Sequence, residues 1–251
     1  GMFQNCKTLT QISIPQSVKI IGDFSFEKCI SLTKVSFEES CFLEQIGNSA
    51  FNQCNALKEI IIPQSVKRIK SCAFKGCSSL TQFIIPSSVT LIENSAFYEC
   101  SSLTQIKIPS SVTLIENSAF YKCSSLARIE IPSSVTSIGS DVFYGVKSLE
   151  ITGDINTIFS GMFQNCKTLT QISIPQSVKN IGTSSFEKCF SLTKVSFGEP
   201  CIIEQIGNRA FNQCNSLKEI IIPSKIIGEQ SFSWCKNLEK VTLLHTVEKI
   251  C

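Results

Sequence analysis

The sequence predicts a repeat solenoid, a fold in which successive coils of chain stack on one another. Two observations support this prediction. A phenylalanine recurs eleven times in 251 residues, usually at intervals of 23 residues. Cysteine, leucine, isoleucine and valine follow it at a fixed spacing, close to A-F-x-x-C-x-x-L-x-x-I-x-I-P-x-S-V-x-x-I. A period in the twenties is typical of stacked units that bury their apolar faces only against neighbours. The anchor residues are Phe3, Phe26, Phe51, Phe74, Phe97, Phe120, Phe143, Phe163, Phe186, Phe211 and Phe232.

The repeat NSAFYECSSLTQIKIPSSVTLIE illustrates one coil. Phe97, Cys100 and Leu103 recur every three residues, which predicts a short helical or 3₁₀ turn with one face inward. Ile106 and Ile108 show the two-residue period of a strand. The proline that follows lacks an N–H and marks a corner, and V-x-x-I forms a second short extended piece. We therefore expect two short parallel strands and one helical or 3₁₀ turn per coil.

We expect one solenoid of about eleven coils over residues 1–251, because repeat arrays grow by adding coils. Three segments depart from the regular spacing of the repeat. The inserts at 36–47 and 196–207 replace the usual turn with longer acidic loops, which we expect to project. The short, irregular coil at 143–162 predicts a local change of curvature.

A segmental duplication joins the two halves of the chain. Residues 1–63 match 161–223 at 53 of 63 positions, and the first nineteen residues of both segments are identical. The match includes positions expected to face solvent, which a fold constraint alone would let diverge. Recombination slippage without functional meaning also explains the duplication, and both interpretations stay open.

The positions of the cysteines in the repeat favour packing in the core over disulfide bonds. Ten of the fourteen occupy one position of the repeat, which Val146 fills in another copy. A site that accepts valine requires a small apolar side chain, so we predict a column of buried thiols. The remaining four are predicted to be more accessible: Cys41, Cys72, Cys201 and Cys251.

Composition excludes several classes of function. The net charge is +3 with lysine and arginine scattered among glutamate, so no nucleic-acid-binding patch is indicated. No apolar run approaches the roughly 20 residues of a membrane span. Both termini fall inside a repeat, from which we expect the parent chain to be longer.

The sequence does not predict an enzyme. His245 is the only histidine, and we expect it on an exposed turn of the C-terminal coil. Cysteines in apolar slots have raised pKa values and low reactivity. Cys72 and Cys77 are the closest pair of cysteines, and no second pair completes a zinc site. We therefore predict no catalytic residue, no metal and no cofactor.

The unit AFYECSSLTQIKIPSSVTLIENSAF resembles the BspA-like class of leucine-rich repeats, and the resemblance covers nearly the whole chain. It implies a right-handed leucine-rich-repeat coil with stacked short parallel strands. Members of this class look like surface antigens and adhesins of mucosal bacteria and protozoan parasites, and some bind host matrix proteins such as fibronectin or fibrinogen. No motif of the class fixes the ligand, so no binding residue is transferred.

The outward positions of the L-x-x-I-x-I strand form two columns in the stack. Most are polar, but Ile61 and Ile84 are expected to be adjacent and exposed, and apolar pairs flanked by charge are candidate contact sites. Ordinary surface apolar residues are the alternative. The candidate protein-binding residues are Ile61, Ile84, Glu59, Gln82, Gln105, Lys107 and Arg128.

We thus predict a non-enzymatic repeat protein that binds a protein ligand, with host extracellular-matrix proteins as candidates. A cell-surface or secreted location is expected. The alternative is a cytoplasmic scaffold or structural spacer, which the unpaired cysteine column favours.

Overall fold

A computed structural model describes residues 1–200, 203–244 and 247–251. The described residues form twenty short strands of two kinds, β1 to β20 in chain order. Strands of the first kind contain the I-x-I pair: β1 (Gln11–Ile14), β3 (Lys34–Phe37), β7 (Gln105–Lys107), β9 (Arg128–Glu130), β11 (Ser148–Thr152), β13 (Gln171–Ile174), β15 (Lys194–Phe197), β17 (Glu219–Ile222) and β19 (Lys240–Leu243). Strands of the second kind follow the corner: β2 (Ile20–Ile21), β4 (Gln45–Ile46), β5 (Arg68–Ile69), β6 (Leu91–Ile92), β8 (Leu114–Ile115), β10 (Ser137–Ile138), β12 (Thr157–Ile158), β14 (Asn180–Ile181), β16 (Ile203–Ile206), β18 (Ser224–Ile227) and β20 (Lys249–Ile250).

Every described strand pair is parallel and joins strands of neighbouring coils. The first-kind strands form the ladders β1-β3, β7-β9-β11-β13-β15 and β17-β19. The second-kind strands form β2-β4-β5, β6-β8-β10 and β12-β14-β16-β18-β20. The chain is therefore a parallel-strand β-solenoid, as the repeat period predicts.

A continuous column of phenyl rings forms the centre of the stack. The eleven anchor phenylalanines stack in sequence order with neighbouring ring centroids 4.9 to 6.1 Å apart, and ten turns of chain join them. Leu103, Ile106, Ile108 and Val112 of one coil are buried around this column, as are their equivalents in most other coils, whereas Val241 and Leu243 of the C-terminal coil are exposed. The apolar residues of the repeat thus supply one core that runs along the whole array.

The predicted helical or 3₁₀ turn is wrong, because the described residues contain no helix. A 3₁₀ helix requires consecutive hydrogen bonds to the carbonyl three residues back. Tyr98 and Cys100 donate such bonds within their coil, to Ser95 and Phe97. The alternate amides do not, because those of Phe97 and Glu99 donate to carbonyl groups of the next coil at 2.9 and 2.7 Å. The segment is a chain of turns whose alternate amides tie adjacent coils together.

Two residues per coil adopt left-handed backbone conformations, which end each turn. One lies two positions after the anchor phenylalanine, as Glu99 does with φ of 58°, and the other two positions before it, as Ser95 does with φ of 55°. Glycine occupies the later position at Gly76 and Gly145. Because most of these residues are not glycine, the sequence pattern did not reveal them.

Two coils lack the predicted first-kind strand. Residues 59–62 and 82–85 adopt no strand, although their sequences match the pattern. In the second segment Phe83 takes the place of the usual isoleucine, and its ring packs edge-on against Phe74 and Phe97 with centroids 4.8 Å away. The bulkier side chain separates this part of the stack, since tight parallel pairing requires side chains of matched size.

The short coil at 143–162 keeps its strand by shifting register. In β11, Glu150 pairs with Arg128 of β9 on one side and with Ser173 of β13 on the other. With regular spacing, Arg128 and Gln171 would pair with the same residue of β11. Arg128 pairs with Glu150 and Gln171 with Ser148, so the register shifts by two residues. A slip of two keeps the inward-facing set inward, because side chains alternate with a period of two.

The cysteine column is buried at eight of its ten positions and half-buried at Cys6 and Cys235, but one prediction about the other cysteines is wrong. Cys41 is buried, because the insert that carries it folds back onto the stack. Cys72 is half-buried and Cys251 is exposed. Cys201 and His245 lie outside the described residues.

Candidate functional site

The outward side chains of the first-kind strands and of the matching segments 59–62 and 82–85 form one regular surface of the solenoid, which we call the first face. All seven predicted binding residues are exposed on it: Glu59, Ile61, Gln82, Ile84, Gln105, Lys107 and Arg128. The structure therefore places the predicted residues on one surface, although its two parts differ in chemistry.

The central part of the first face, from β7 to β11, is electrostatically balanced. Lys107 lies 2.8 Å from Glu130, and Arg128 lies 3.9 Å from Glu150, measured between the charged atoms. Each pair joins equivalent positions of adjacent coils. Exposed ion pairs of this kind contribute about 0 to 1 kcal/mol, so they position charge more than they stabilise the fold.

The apolar part lies where the strands are missing. The Ile61 side chain is 79% exposed and that of Ile84 is 70% exposed. Ile221, which duplicates Ile61, is 57% exposed. Isoleucine side chains exposed to this degree contribute little to the stability of the fold through burial.

A cleft opens in the first face beside Ile61. Its walls are β3 with the residues after it and the unpaired segment 59–62, and its volume is about 730 Å³. We call it the first cleft. Phe37 and Val35 line one wall, and Ile60 and Ile61 line the other. The sequence analysis did not predict it.

A second cleft opens at the duplicated position. It lies between β15 and β17 and has a volume of about 1090 Å³. Phe197, Val195, Ile220 and Ile221 line it, each 160 residues after its equivalent in the first cleft. The segments TKVSF and EIIIP, which form the facing walls, are identical in the two copies. The 25-residue spacing of the anchor phenylalanines, present only at these two coils, was the sequence signal that marked both places.

The acidic inserts border the two clefts. In the first, Glu38 and Glu39 are exposed, and the Glu38 carboxylate accepts a hydrogen bond from the Gln16 amide at 3.0 Å. Leu43, at the end of the same insert, is fully buried. The insert is therefore anchored at both ends instead of projecting as a free loop, and it exposes Phe42 in addition to its acidic tip.

A ladder of three tyrosines covers another side of the solenoid and escaped the sequence analysis. Tyr98, Tyr121 and Tyr144 stack with ring centroids 4.6 and 4.7 Å apart. The Lys75 ammonium lies 4.6 Å from the centre of the Tyr98 ring. Tyrosine directly after the anchor phenylalanine in three successive repeats is the signal that predicts this ladder.

The thiols are unsuited to nucleophilic chemistry. Burial raises the pKa of Cys77, Cys123 and Cys189 to about 12, so these groups stay protonated at neutral pH. The thirteen described cysteines are all free. Within the described ranges, no cluster of three or more His, Cys, Asp or Glu residues is arranged to hold a metal ion.

No helix in the described part of the chain is long and apolar enough to cross a bilayer. The stacked parallel ladders, the phenylalanine column and the exposed first face define the class: a parallel-strand β-solenoid with the leucine-rich-repeat fold.

Comparison with known proteins identifies the family. The family model described as "BspA type Leucine rich repeat region (6 copies)" matches residues 1–90, 44–157 and 145–251, which together span the chain. This protein belongs to the BspA-type leucine-rich-repeat family, as the resemblance in its repeat unit predicted. No curated protein is similar enough to count as a match.

Several solved structures share the fold. A leucine-rich cell surface protein from Faecalibacterium prausnitzii A2-165 is 29% identical, with a TM-score of 0.58, over 94% of this chain and 79% of its own. A leucine-rich repeat protein from Bacteroides ovatus ATCC 8483 is 28% identical, with a TM-score of 0.51, over 99% and 76% of the two chains. The leucine-rich repeat protein of T. pallidum is 27% identical, with a TM-score of 0.50, over 82% and 83%.

Proposed function

We propose that this chain is a non-enzymatic recognition protein at a cell surface, and that its first face binds another protein. The observation that carries the proposal is the exposed isoleucine set on that face, of which Ile61 and Ile84 are the most exposed members. Membership of the leucine-rich-repeat family and the similarity to a bacterial cell surface protein support it. Host extracellular-matrix proteins are the candidate partners.

Affinity would come from many modest contacts along the face. The isoleucines supply desolvated apolar area, and the surrounding Glu59, Gln82 and Gln105 supply a polar rim, which is the usual anatomy of a protein interface. The ion-paired centre adds charge of both signs, so electrostatics would set orientation more than affinity.

A binding assay against purified fibronectin and fibrinogen tests the proposal. We expect Ile61→Asp and Ile84→Asp each to weaken binding by about tenfold or more, because a buried carboxylate would replace an apolar contact. Ile20→Asp is the matched control, since Ile20 is 58% exposed but belongs to β2, away from the first face.

Equal binding by all three variants would show that the first face is not the interface. Binding to none of the tested extracellular proteins, together with residence of the parent chain in the cytoplasm, would favour a scaffold or spacer in place of a surface receptor.

A further inference from the structure

The walls of both clefts carry backbone groups without partners, as does the segment 82–85 of the same face. Lys34 and Glu38 donate their amides to Thr10 and Ile14 of the preceding coil at 3.3 and 3.2 Å. Alternate residues of a parallel strand turn their backbone groups to opposite neighbours, so Val35 and Phe37 point theirs toward the cleft.

The opposite wall of the first cleft is also unpaired. Among the described residues, no amide or carbonyl group of residues 59–62 takes part in a hydrogen bond with another part of the chain. In the second cleft, β17 pairs with β19 on its far side, and no ladder joins it to β15. Unpaired strand edges accept a further strand, whose backbone groups form new hydrogen bonds with them.

Apolar side chains border these edges in both copies. In the first cleft Phe37 is half-buried and Ile61 is largely exposed. Phe197 and Ile221 repeat this arrangement in the second cleft. A ligand that pairs with the edges would therefore also place side chains against apolar surface, which is how strand-addition sites combine affinity with specificity.

The charges at the clefts are of both signs. Each cleft presents a lysine on one wall and a glutamate on the other, Lys34 with Glu59 and Lys194 with Glu219, and Lys240 adds a second lysine to the second cleft. The acidic tip of an insert stands beside each mouth, at Glu38 and Glu199. Nucleic acid or an anionic headgroup would meet these carboxylates, whereas an extended peptide with charges of both signs would be complementary.

From these observations we infer that each cleft binds an extended peptide segment of the protein partner, which adds to the open strand edges and places apolar side chains beside Phe37 and Ile61, or Phe197 and Ile221. This inference rests on the proposed function, because it specifies how the first face recognises protein. It also gives the duplication a functional consequence, since the duplicated segment carries a complete copy of the site.

The two sites suit a ligand with two segments. They are seven steps of the phenylalanine column apart, from Phe26 to Phe186. The ring centroids along this stretch are 5.1 to 6.1 Å apart, which gives a separation of about 38 Å along the column. A partner that presents two segments at this distance would gain avidity over one that presents a single segment.

The test uses a fluorescein-labelled peptide of alternating valine and threonine with one terminal lysine and one terminal glutamate, titrated into the intact chain. We expect about two peptides to bind per chain. Ile61→Asp and Ile221→Asp should each remove one site, and the double variant should weaken binding by at least about tenfold at both. Ile20→Asp is the control: Ile20 is exposed on β2 and lines neither cleft, so this variant should retain both sites.

Two further measurements separate strand addition from nonspecific apolar adhesion. The same peptide with N-methylated amides should not bind, because it lacks backbone donors. By hydrogen exchange, the Glu59 and Ile61 amides should exchange quickly in the free chain and slow down with peptide, whereas the Arg128 amide, bonded to Thr104, should be protected throughout.

No saturable binding, undiminished binding by the double variant, or equal binding of the N-methylated peptide would each overturn the inference. The assay contains no matrix protein, so it distinguishes the two proposals. Peptide binding without any binding to the matrix proteins would leave the clefts as peptide sites and count against the proposed partners alone.

Discussion

The recurring cysteine makes a hydrogen bond that valine at the same position cannot make. Its thiol donates to the carbonyl of the anchor phenylalanine in the preceding coil, with sulphur–oxygen distances of 3.1 Å from Cys123 to Phe97 and 3.2 Å from Cys100 to Phe74. The same contact recurs along the column at Cys29, Cys54, Cys77, Cys189, Cys214 and Cys235. Cysteine thus fills an apolar slot and also links adjacent coils.

The serine of the P-x-S-V corner acts similarly. The Ser111 hydroxyl donates to the Val89 carbonyl of the preceding coil at 2.6 Å, and Ser134 does the same to Val112 at 2.9 Å. Two polar residues of the repeat are therefore explained by contacts between coils, which the sequence pattern marks as recurrent without showing their partners.

Thiol accessibility gives a test at the residue scale. When the folded chain is treated with iodoacetamide without reductant, Cys251 should react first and Cys72 next, because they are exposed and half-exposed. Cys6 and Cys235 are half-buried and should react at times similar to Cys72, whereas Cys41 and the eight buried cysteines of the column should react only on unfolding, since the thiolate is the reactive form and burial suppresses it. Mass mapping of the modified peptides at increasing times gives the order. Rapid labelling of Cys100 or Cys123 would contradict the buried column.

At the scale of elements, the turn segment shows why local pattern and observed conformation differ. The three-residue spacing of phenylalanine, cysteine and leucine fits a helix, but half of the amides bond to the next coil. A helix would satisfy each coil alone and leave neighbouring coils unlinked along this side. Stacking therefore decides the conformation, and the left-handed residues make the necessary changes of direction.

Glycine substitutions test these turns. At Gly145 φ is 88°, and an added Cβ would lie 3.0 Å from the Lys122 Cα atom, so Gly145→Ala should lower the free energy of unfolding by about 1 to 2 kcal/mol. Gly22→Ala is the matched control. Its Cβ would approach nothing closer than the Ser25 Oγ atom at 3.6 Å, and we expect a change within about 0.5 kcal/mol. Urea denaturation of both variants provides the comparison, and equal losses would argue against a strained turn at Gly145.

Strand formation likewise depends on both the local sequence and the adjoining coils. The I-x-I pattern correctly predicted strands in most coils, including the inward positions, but failed at residues 59–62 and 82–85. The sequence of the first segment, EIIIP, is a strand in its duplicate at β17. Identical residues thus adopt different structures, because pairing depends on the adjoining coils, and Phe83 lies next to only one of the two copies.

At the scale of the whole molecule, the buried thiols couple stability to pH. Their pKa is about 12 in the folded chain at Cys77, Cys123 and Cys189, against about 8.5 to 9 when unfolded. A raised pKa means that the folded state holds the proton longer. The stabilisation is therefore complete below about pH 9 and is lost as the pH rises toward 12.

Between pH 9 and 10, each such thiol should lower the free energy of unfolding by about 1 kcal/mol. Chemical denaturation at a series of pH values measures the slope. Cys123→Val is the control, since Val146 fills the equivalent slot naturally and removes one titrating group without changing lysine or tyrosine titration. For this variant, the slope of the unfolding free energy against pH should be shallower by the contribution of about one proton. Parallel curves for the two proteins would contradict the raised pKa of the Cys123 thiol.

The candidate site was only partly predictable. The two-residue period correctly placed Ile61, Ile84 and the polar columns on an outward surface, because side-chain direction follows from strand geometry alone. The clefts were not predicted, although the 25-residue intervals marked their positions. The longer interval shows that these coils contain extra residues, but it does not show whether their strands pair with those of the adjacent coil.

The sequence by itself determined that the chain forms parallel stacked coils, which side chains form the core, and which family it belongs to. These follow from periodicity, since each repeat specifies its own inward face and needs a neighbour to cover it. Only the tertiary structure decided the left-handed turns, the two-residue slip at β11 and the open ladders that form the clefts. Each depends on hydrogen bonds between coils, and these form or fail according to the combined spacing and side-chain volume of adjacent repeats, which no single repeat contains.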